Sequence, residues 1–321
     1  MSSIEASSIE KPQPSVRKLT RLPQSARAVL SRFGAREGDL LGSGSESAVY
    51  ALGREQVLRV ALGNPASRDL LARTREFLAD LAGRLPYRTP EILEIGADGA
   101  FTVERRLPGR PMTEALRETT GAARAHLWAA YADAIAVIGT VVLPGDDYRH
   151  LLDDTPVVAP TWQAFIADNI RRSANRNAAT IEREAGPVGP LLERSLAHTP
   201  RLDAAPPRVL VHGDAWPGNV MVDDAGRIVA LGDFGPFTVA GDATLDAASA
   251  LLPLAAMDVC TDADVGFVHD LMMERFGDRL DRALPAYRAW FALTTADPAY
   301  ALPGADFLAW SRRTLREMRA E

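Results

Sequence analysis

Short apolar runs separated by turns fill the first third of the chain, and they predict a small sheet. Residues 40–50 have the pattern of a strand, a tight loop and a second strand, and residues 56–62 add a third apolar strand. Two further apolar runs, 91–96 and 100–105, flank the turn at Asp98 and Gly99. Residues 65–84 carry apolar side chains at positions 70, 71, 77, 78 and 81, which is the spacing of an amphipathic helix.

After residue 111 the apolar positions take the spacing of helices. The prolines and the glycine of residues 107–111 interrupt the strand pattern, so we expect a boundary between two lobes at about residues 106–110. The sequence contains no repeat of fixed period. The predicted helices cover residues 122–142, 161–185, 190–198, 243–259, 264–276, 279–294 and 306–319.

A hairpin with polar ends interrupts this helical half. Residues 209–211 and 220–222 form short apolar strands, residues 223–227 read as a turn, and residues 228–231 run back. This pattern brings Asp214, Asn219 and Asp233 to one end of the hairpin. Magnesium prefers such oxygen ligands, and phosphoryl transfer needs a further carboxylate beside the attacking hydroxyl. The alternative is that these side chains only satisfy and cap turns.

The motif HGDxxxxN followed by GDFG resembles the catalytic and magnesium loops of the aminoglycoside phosphotransferase and choline kinase-like families, relatives of the protein kinases. The resemblance implies an α+β, bilobal protein-kinase-like fold, with a small N-terminal antiparallel-sheet lobe and a larger, mostly helical C-terminal lobe. It implies that Asp214 is the catalytic base, that His212 orients its loop, and that Asn219 and Asp233 are magnesium ligands.

The same resemblance divides the chain and narrows the acceptor. Residues 1–25 are expected to be a disordered polar tail, residues 26–108 a nucleotide-binding lobe, and residues 109–321 a lobe with the catalytic loop and the acceptor pocket. Trp216 stands where eukaryotic-type protein kinases carry a lysine, and no Ala-Pro-Glu segment follows, so a small-molecule hydroxyl is the expected acceptor. Asp246 matches a family carboxylate that braces the catalytic loop, although a favourable charge at a helix N-terminus explains it equally well.

The first strands resemble the nucleotide-binding strands of a kinase. Gly42, Gly44 and Ser47 lie in a loop whose small residues would let backbone N–H groups approach phosphates, although such loops are also ordinary turns. Leu107 lies in the implied hinge, where the family binds adenine through backbone groups.

Arg59 departs from the family pattern, which has a lysine at this position. The only two lysines, Lys11 and Lys18, lie in or near the polar tail, so neither can replace it. Arginine stays charged and can hold phosphate oxygens through two N–H groups. Glu76 occupies the family position of the glutamate that pairs with the strand cation, so an Arg59–Glu76 ion pair is predicted; a solvated surface glutamate is the alternative.

Composition and charge exclude some partners and leave others open. The net charge of −6 argues against a nucleic-acid partner. The acidic excess lies after residue 105, which favours a cationic acceptor, although an ordinary solvated surface would look the same. The polar and aromatic candidates for the acceptor pocket are Asp153, Asp154, Trp162, Asp168, Asp258, Asp262, Tyr287, Trp290 and Tyr300. Most aromatic residues of this kind are expected to be core residues rather than ligand contacts.

Targeting signals are absent from the sequence as it stands. The polar first residues lack the apolar core of a signal peptide, and the apolar runs are too short to span a bilayer. We therefore expect a cytoplasmic protein with no membrane partner, as a monomer or a homodimer. The expected activity is ATP- (or GTP-) and Mg²⁺-dependent phosphorylation of a small-molecule hydroxyl, such as that of an aminoglycoside or macrolide antibiotic. The alternatives are a metabolic kinase of the choline, homoserine or fructosamine type, or a nucleotide-binding protein without turnover.

Overall fold

The computed structural model describes residues 22–44, 46–302 and 304–320. Most of the predicted polar tail lies outside these residues. Its last four positions are described, and the last two of them belong to a helix, α1, which covers Gln24–Phe33. This helix forms because Ala26 and Leu30 are buried against the first sheet, a long-range contact that the polar local sequence does not show.

The N-terminal lobe contains the predicted antiparallel sheet, with strand order β1-β2-β3-β5-β4. The predicted helix lies between β3 and β4. The elements are β1 Leu40–Ser43, β2 Ser47–Leu52, β3 Gln56–Ala61, α2 Arg68–Leu81, β4 Ile92–Ile95 and β5 Phe101–Arg105.

The two faces of this sheet have different neighbours. Leu58 and Val103 face the small core formed with α1. Side chains alternate along a strand, so their neighbours Arg59 and Glu104 point to the opposite face. Arg59 pairs in register with Thr102, which places Glu104 two residues further along the adjacent strand and on the same face. The polar face of the sheet is thus the one that looks into the cleft.

In its described residues, the C-terminal lobe is mostly helical and carries three small antiparallel sheets, with strand orders β11-β10-β6, β8-β7-β12-β9 and β13-β14. Its elements in chain order are β6 Arg110–Pro111, α3 Met112–Glu118, α4 Gly121–Ile138, β7 Tyr148–His150, β8 Val158–Ala159, α5 Trp162–Arg176, α6 Ala178–Ala185, α7 Val188–Ala197, β9 Val209–Val211, β10 Val220–Val222, β11 Ile228–Leu231, β12 Val239–Gly241, α8 Thr244–Leu251, α9 Asp262–Phe276, α10 Asp278–Thr294, β13 Ala301–Leu302, β14 Ala305–Asp306 and α11 Phe307–Ala320.

Two predicted helices are shorter than the apolar pattern suggests. The segment 161–185 breaks at Asn177, whose buried amide donates to the carbonyl oxygens of Leu293 and Thr294 at the end of α10. The segment 243–259 ends as an α-helix at Leu251 and continues as a 3-10 turn, Leu252–Ala256, in which Pro253 has no N–H for the next helical hydrogen bond. The first helix is interrupted by a long-range contact and the second ends near a proline, and hydrophobic spacing indicates neither.

The two lobes are joined by more than the hinge. The backbone of Arg88 donates to the carbonyl of Val229 (3.0 Å) and accepts from the N–H of Leu231 (2.9 Å). This bridge attaches the segment before β4 to the hairpin β10–β11, which carries the candidate metal ligands. Within the described residues, no helix combines the length and apolar character needed to cross a membrane.

Candidate active site

A glycine with a left-handed backbone conformation sets the course of the loop after β9. Gly213 has a φ of +76°, and a Cβ at this position would lie 2.2 Å from the carbonyl oxygen of Phe237. Any other residue would meet both the backbone strain and the overlap. The fold therefore requires glycine in the middle of His-Gly-Asp, with Asp214 following directly.

His212 links this loop to the segment Asp233-Phe234-Gly235. Its buried ring accepts the backbone N–H of Asp214 at Nδ1 (3.2 Å) and lies 2.9 Å from the carbonyl oxygen of Gly232 through Nε2. Since Nδ1 is an acceptor, the proton is on Nε2 and is donated to Gly232. Burial lowers the pKa of His212 to about 4, which keeps the ring neutral.

Asp246 braces the same loop from α8. The carboxylate of this buried residue accepts the backbone N–H groups of His212 (3.0 Å) and Gly213 (2.7 Å). Burial raises the pKa of Asp246 to about 7, against the opposing effect of these two hydrogen bonds. Of the two interpretations of this residue, the structure supports the brace.

Asp214 and Asn219 are joined directly. The Asn219 amide nitrogen donates to the backbone carbonyl (2.8 Å) and to the carboxylate (3.1 Å) of Asp214. With the amide nitrogen committed in this way, the amide oxygen of Asn219 is left for another partner. Burial, and then the charge of Asp233, raise the pKa of Asp214 well above its usual range. The two carboxylates are therefore close enough to repel one another.

Asp233 is the one non-glycine residue with a positive φ, +62°, among the residues that the structure describes. Such strain is typical of functional sites, where the surroundings hold a side chain in a particular direction. One carboxylate oxygen accepts from Arg59 at 3.1 Å. The other carboxylate oxygen and the Asn219 amide oxygen are the hard donors that suit Mg²⁺.

The oxygen donors of Asn219 and Asp233 suit a Mg²⁺ ion that is partly held by nucleotide phosphates better than a metal ion held by protein side chains alone. In the described part of the chain, no three His, Cys, Asp or Glu side chains are grouped as a metal site. Magnesium in nucleotide-dependent enzymes commonly has one or two carboxylates, with phosphates and water completing its shell. Asn219 and Asp233 would supply the protein's share of such a shell, with one amide oxygen and one carboxylate.

The predicted Arg59–Glu76 ion pair is wrong. Arg59 instead pairs with Glu104 through Nε (3.1 Å), and its Nη1 donates to Ser47 Oγ (3.1 Å) and to Asp233 (3.1 Å). Glu76 is exposed on α2. The adjacent strand β5 supplies a carboxylate on the same face of the sheet as Arg59, so the cation is satisfied without the helix.

Glu104 was missed by the sequence analysis, although a signal for it existed. Residues 101–104 alternate between apolar and polar side chains, Phe-Thr-Val-Glu, which places Thr102 and Glu104 together on one face of the strand. Glu104 is only 8% exposed, and its Oε1 also accepts from the Thr102 hydroxyl at 2.7 Å. Burial of a glutamate in this way calls for a cationic partner.

Apart from the exposed Glu76, the residues predicted to contact the nucleotide lie in the first strands of the N-terminal lobe, in the loop between them, or beside Gly232. The backbone N–H of Gly44 donates to the carbonyl of Ser47 (2.9 Å), closing the loop between β1 and β2. A Cβ at Gly42 or Gly44 would meet nothing within 4 Å, and neither residue has a positive φ. Leu107 lies beside Gly232, where an added Cβ would be 3.3 Å from its Cδ1. Leu107 therefore lies beside the residue that directly precedes Asp233 in the chain.

The predicted acceptor-pocket residues have several different environments. Trp162, Tyr287 and Trp290 are buried in the core of the helical lobe, where Trp162 Nε1 donates to the Tyr287 hydroxyl at 2.8 Å, so for these three the core alternative holds. Tyr300 is half-buried in the 3-10 turn before β13, and burial is the largest cause of its raised pKa. The acidic candidates in ion pairs are Asp153 with Arg172, Asp154 with Arg73, Asp168 with Arg171, and Asp258 with Arg117, and Asp262 is exposed in the first turn of α9.

Comparison with solved structures finds the same fold in antibiotic-modifying enzymes. The aminoglycoside phosphotransferase APH(4)-Ia superposes with a TM-score of 0.60 at 18% identity, covering 91% of this chain and 96% of that chain. The gentamicin complex of APH(2")-IIa gives 0.58 at 18% identity, covering 93% and 98%. The macrolide 2'-phosphotransferase type I gives 0.52 at 20% identity, covering 90% and 94%. These similarities confirm the predicted kinase-like, two-lobed fold.

The sequence comparisons bear on the family. No curated protein matches the chain. A profile of the phosphotransferase enzyme family APH matches residues 37–290, which include both the glycine-containing loop and the catalytic hairpin. His212, Asp214, Asn219 and Asp233 all lie within this match, which covers most of the chain, and the chain belongs to the APH phosphotransferase enzyme family.

Proposed function

We propose that the protein transfers the γ-phosphate of ATP, or of GTP, to a hydroxyl group of a small molecule. The observation that carries the proposal is the junction of Asp214, Asn219 and Asp233, because it joins a half-buried carboxylate to two hard oxygen donors. Similar structures contain ADP, ATP with streptomycin, or GDP with kanamycin. These complexes favour a purine nucleotide as donor and an aminoglycoside antibiotic as acceptor, and the similarity to a macrolide 2'-phosphotransferase adds macrolides as a second class of acceptor.

In the proposed reaction, Asp214 orients the acceptor hydroxyl and takes its proton. The hydroxyl oxygen forms a bond to the γ-phosphorus while the bond to the β,γ-bridging oxygen breaks, and the nucleoside diphosphate leaves with that oxygen. Asn219 and Asp233 would hold Mg²⁺, which when bound neutralises charge on the phosphates. Asn219 also holds the Asp214 carboxylate in position through its amide nitrogen.

The glycines of the β1–β2 loop support the nucleotide part of the proposal. The fold itself does not require glycine at 42 or 44, because a side chain at either position would meet open space without backbone strain. The advantage of glycine there is room for a group that approaches the backbone closely, and phosphate oxygens do so in glycine-rich loops. Arg59 then supplies positive charge on the cleft face of the same sheet.

A coupled assay of nucleoside diphosphate release tests the proposal. Aminoglycosides, macrolides and amino alcohols would be supplied as acceptors with ATP–Mg²⁺ or GTP–Mg²⁺, and the product would be checked for one added phosphoryl group by mass. Asp214→Asn keeps the size of the side chain and should lower kcat by about 10²–10⁴-fold. Nucleotide binding without acceptor-dependent turnover across the panel would instead support the alternative of a binding protein.

A further inference from the structure

Arg59 is held by its own sheet rather than by the helix α2, and this arrangement has a functional consequence. We propose that Glu104 is the positioning residue for the phosphate-binding cation Arg59, taking the place that the family pattern gives to the α2 glutamate. The inference rests on the proposed function, because it assumes that the cleft binds a nucleotide. It assigns a role to a residue on β5 that has no part in the family motif.

The geometry separates the two ends of the Arg59 side chain. Glu104 bonds to Nε, at the base of the guanidinium, while Nη1 reaches Ser47 and Asp233 further into the cleft. Among the described residues, Nη2 has no hydrogen-bond partner. Glu104 therefore fixes the direction of the side chain and leaves the far end of the guanidinium available to phosphate oxygens, which arginine binds well.

Glu104 is itself firmly held. It lies on the strand paired with β3, on the same face as Arg59, and is diagonal to it across the sheet. Its side chain is 10% exposed, and the Thr102 hydroxyl bonds to the same Oε1 that accepts from Arg59. The pKa of Arg59 is raised, with the Glu104 charge as the largest cause, so the arginine remains charged in the cleft.

The contrast with Glu76 makes the inference specific. In a kinase in which the α-helix supplies the partner, movement of that helix breaks the ion pair and disturbs the phosphate grip. Here Glu76 is exposed, and the Arg59–Glu104 bond joins two hydrogen-bonded neighbouring strands. Binding of nucleotide phosphates should therefore be insensitive to Glu76 and sensitive to Glu104.

Direct binding of ADP–Mg²⁺ by calorimetry tests the inference, with ATP kinetics as the second readout. Glu104→Gln keeps the shape of the side chain but loses the charged hydrogen bond, so the Kd for ADP–Mg²⁺ and the KM for ATP should rise about 10–100-fold. The value of kcat should change much less, because Asp214 is untouched. Glu76→Gln is the matched control and should leave both constants within about twofold, as expected for an exposed charge.

A double-mutant cycle distinguishes positioning from a general structural effect. If Glu104 acts through Arg59, Glu104→Gln should add almost nothing to the binding defect of Arg59→Ala. Additive losses, or a normal Kd in Glu104→Gln, would overturn the inference. If Glu104→Gln does not fold, Thr102→Val removes only the bond to Oε1 and should raise the Kd by about 2–10-fold; a normal Kd there would also count against it.

The outcomes separate this inference from the proposed function. Calorimetry with the unaltered protein reports nucleotide binding whether or not a phosphate is transferred, so a missing acceptor does not affect the test. Failure of the unaltered protein to bind any nucleotide would overturn both. If the unaltered protein binds nucleotide but Glu76→Gln loses more affinity than Glu104→Gln, the inference is overturned and the proposed function stands.

Discussion

Replacing Gly213 by alanine should show how closely catalysis depends on the backbone of the catalytic loop. The substitution adds a Cβ at a φ of +76°, and that atom would lie 2.2 Å from the Phe237 carbonyl oxygen and 2.9 Å from its carbonyl carbon. The left-handed conformation alone costs a non-glycine residue about 1–2 kcal/mol. A normal contact would then require Phe237 or the loop to shift by about 1 Å, an overlap that adds to this cost.

The shift would occur where Asp214 is held. Thr238, next to Phe237, donates to the carbonyl of His212 (3.4 Å), so movement of either segment disturbs the bonds that orient Asp214. A misplacement of about 1 Å at a reacting group can cost about 10²-fold in rate. We therefore expect Gly213→Ala to lose about 2–4 kcal/mol of unfolding free energy and about 100-fold in kcat, with little change in the Kd for nucleotide.

Gly34→Ala provides the matched control. Gly34 ends α1 with a φ of +65°, but a Cβ there would meet nothing within 4 Å. This variant carries the backbone strain without the overlap, so it should lose about 1–2 kcal/mol and keep normal kcat. Urea unfolding and steady-state assays at a temperature where both variants are folded would measure the two effects. Equal stability and equal kcat in the two variants would refute the reasoning from the Phe237 contact.

Three further substitutions have definite expected outcomes. Asp233→Asn should weaken binding of ADP–Mg²⁺ far more than binding of metal-free ADP, since a carboxylate charge holds the metal; equal losses in calorimetry would contradict a metal role. Burial lowers the pKa of His150 to about 4, so below pH 6.5 the unfolded chain binds a proton that the folded chain does not, and His150 alone should lower the stability by about 3 kcal/mol between pH 6.5 and 4. His150→Asn should show a smaller decrease in urea unfolding over that range, and an unchanged pH slope would refute the assignment. Asp264→Asn should cost about 3–5 kcal/mol by leaving Arg124 with a weakened buried partner, measured by the same unfolding assay, whereas a loss under about 1 kcal/mol would mean that the pair contributes little.

The catalytic hairpin could be predicted because its geometry is local. Asp214, Asn219 and Asp233 are brought together by β9, by the hairpin β10–β11 and by a turn, all within about two dozen residues of sequence. Apolar runs of three or four residues with a turn signal between them leave few alternative arrangements. The brace from Asp246 is less local, and the sequence alone left it undecided against a helix-terminal charge.

The partner of Arg59 could not be predicted with the same security because it depends on strand order. β3 pairs with β5 rather than with β4, and this long-range pairing brings Glu104 to Arg59. The motif pattern pointed to Glu76, since it assumes that an α-helix approaches the sheet closely enough to supply the carboxylate. Register across two strands decides the pair, and register is a property of the whole sheet.

The two ion pairs of Arg59 differ in strength, and the difference gives each a separate role. The side chain of Asp233 is 52% exposed, so its ion pair with Arg59 contributes about 0–1 kcal/mol to stability. The side chain of Glu104 is 10% exposed, and its Oε1 also accepts from Thr102. Breaking its bond to Arg59 would therefore leave a buried charge without an ionic partner, which is costly. A phosphate entering the cleft can therefore take Asp233's place at Nη1 at little cost while Glu104 keeps Arg59 in position. Under the proposed function, the Asp233 carboxylate freed in this way would help to hold the metal that accompanies the phosphates.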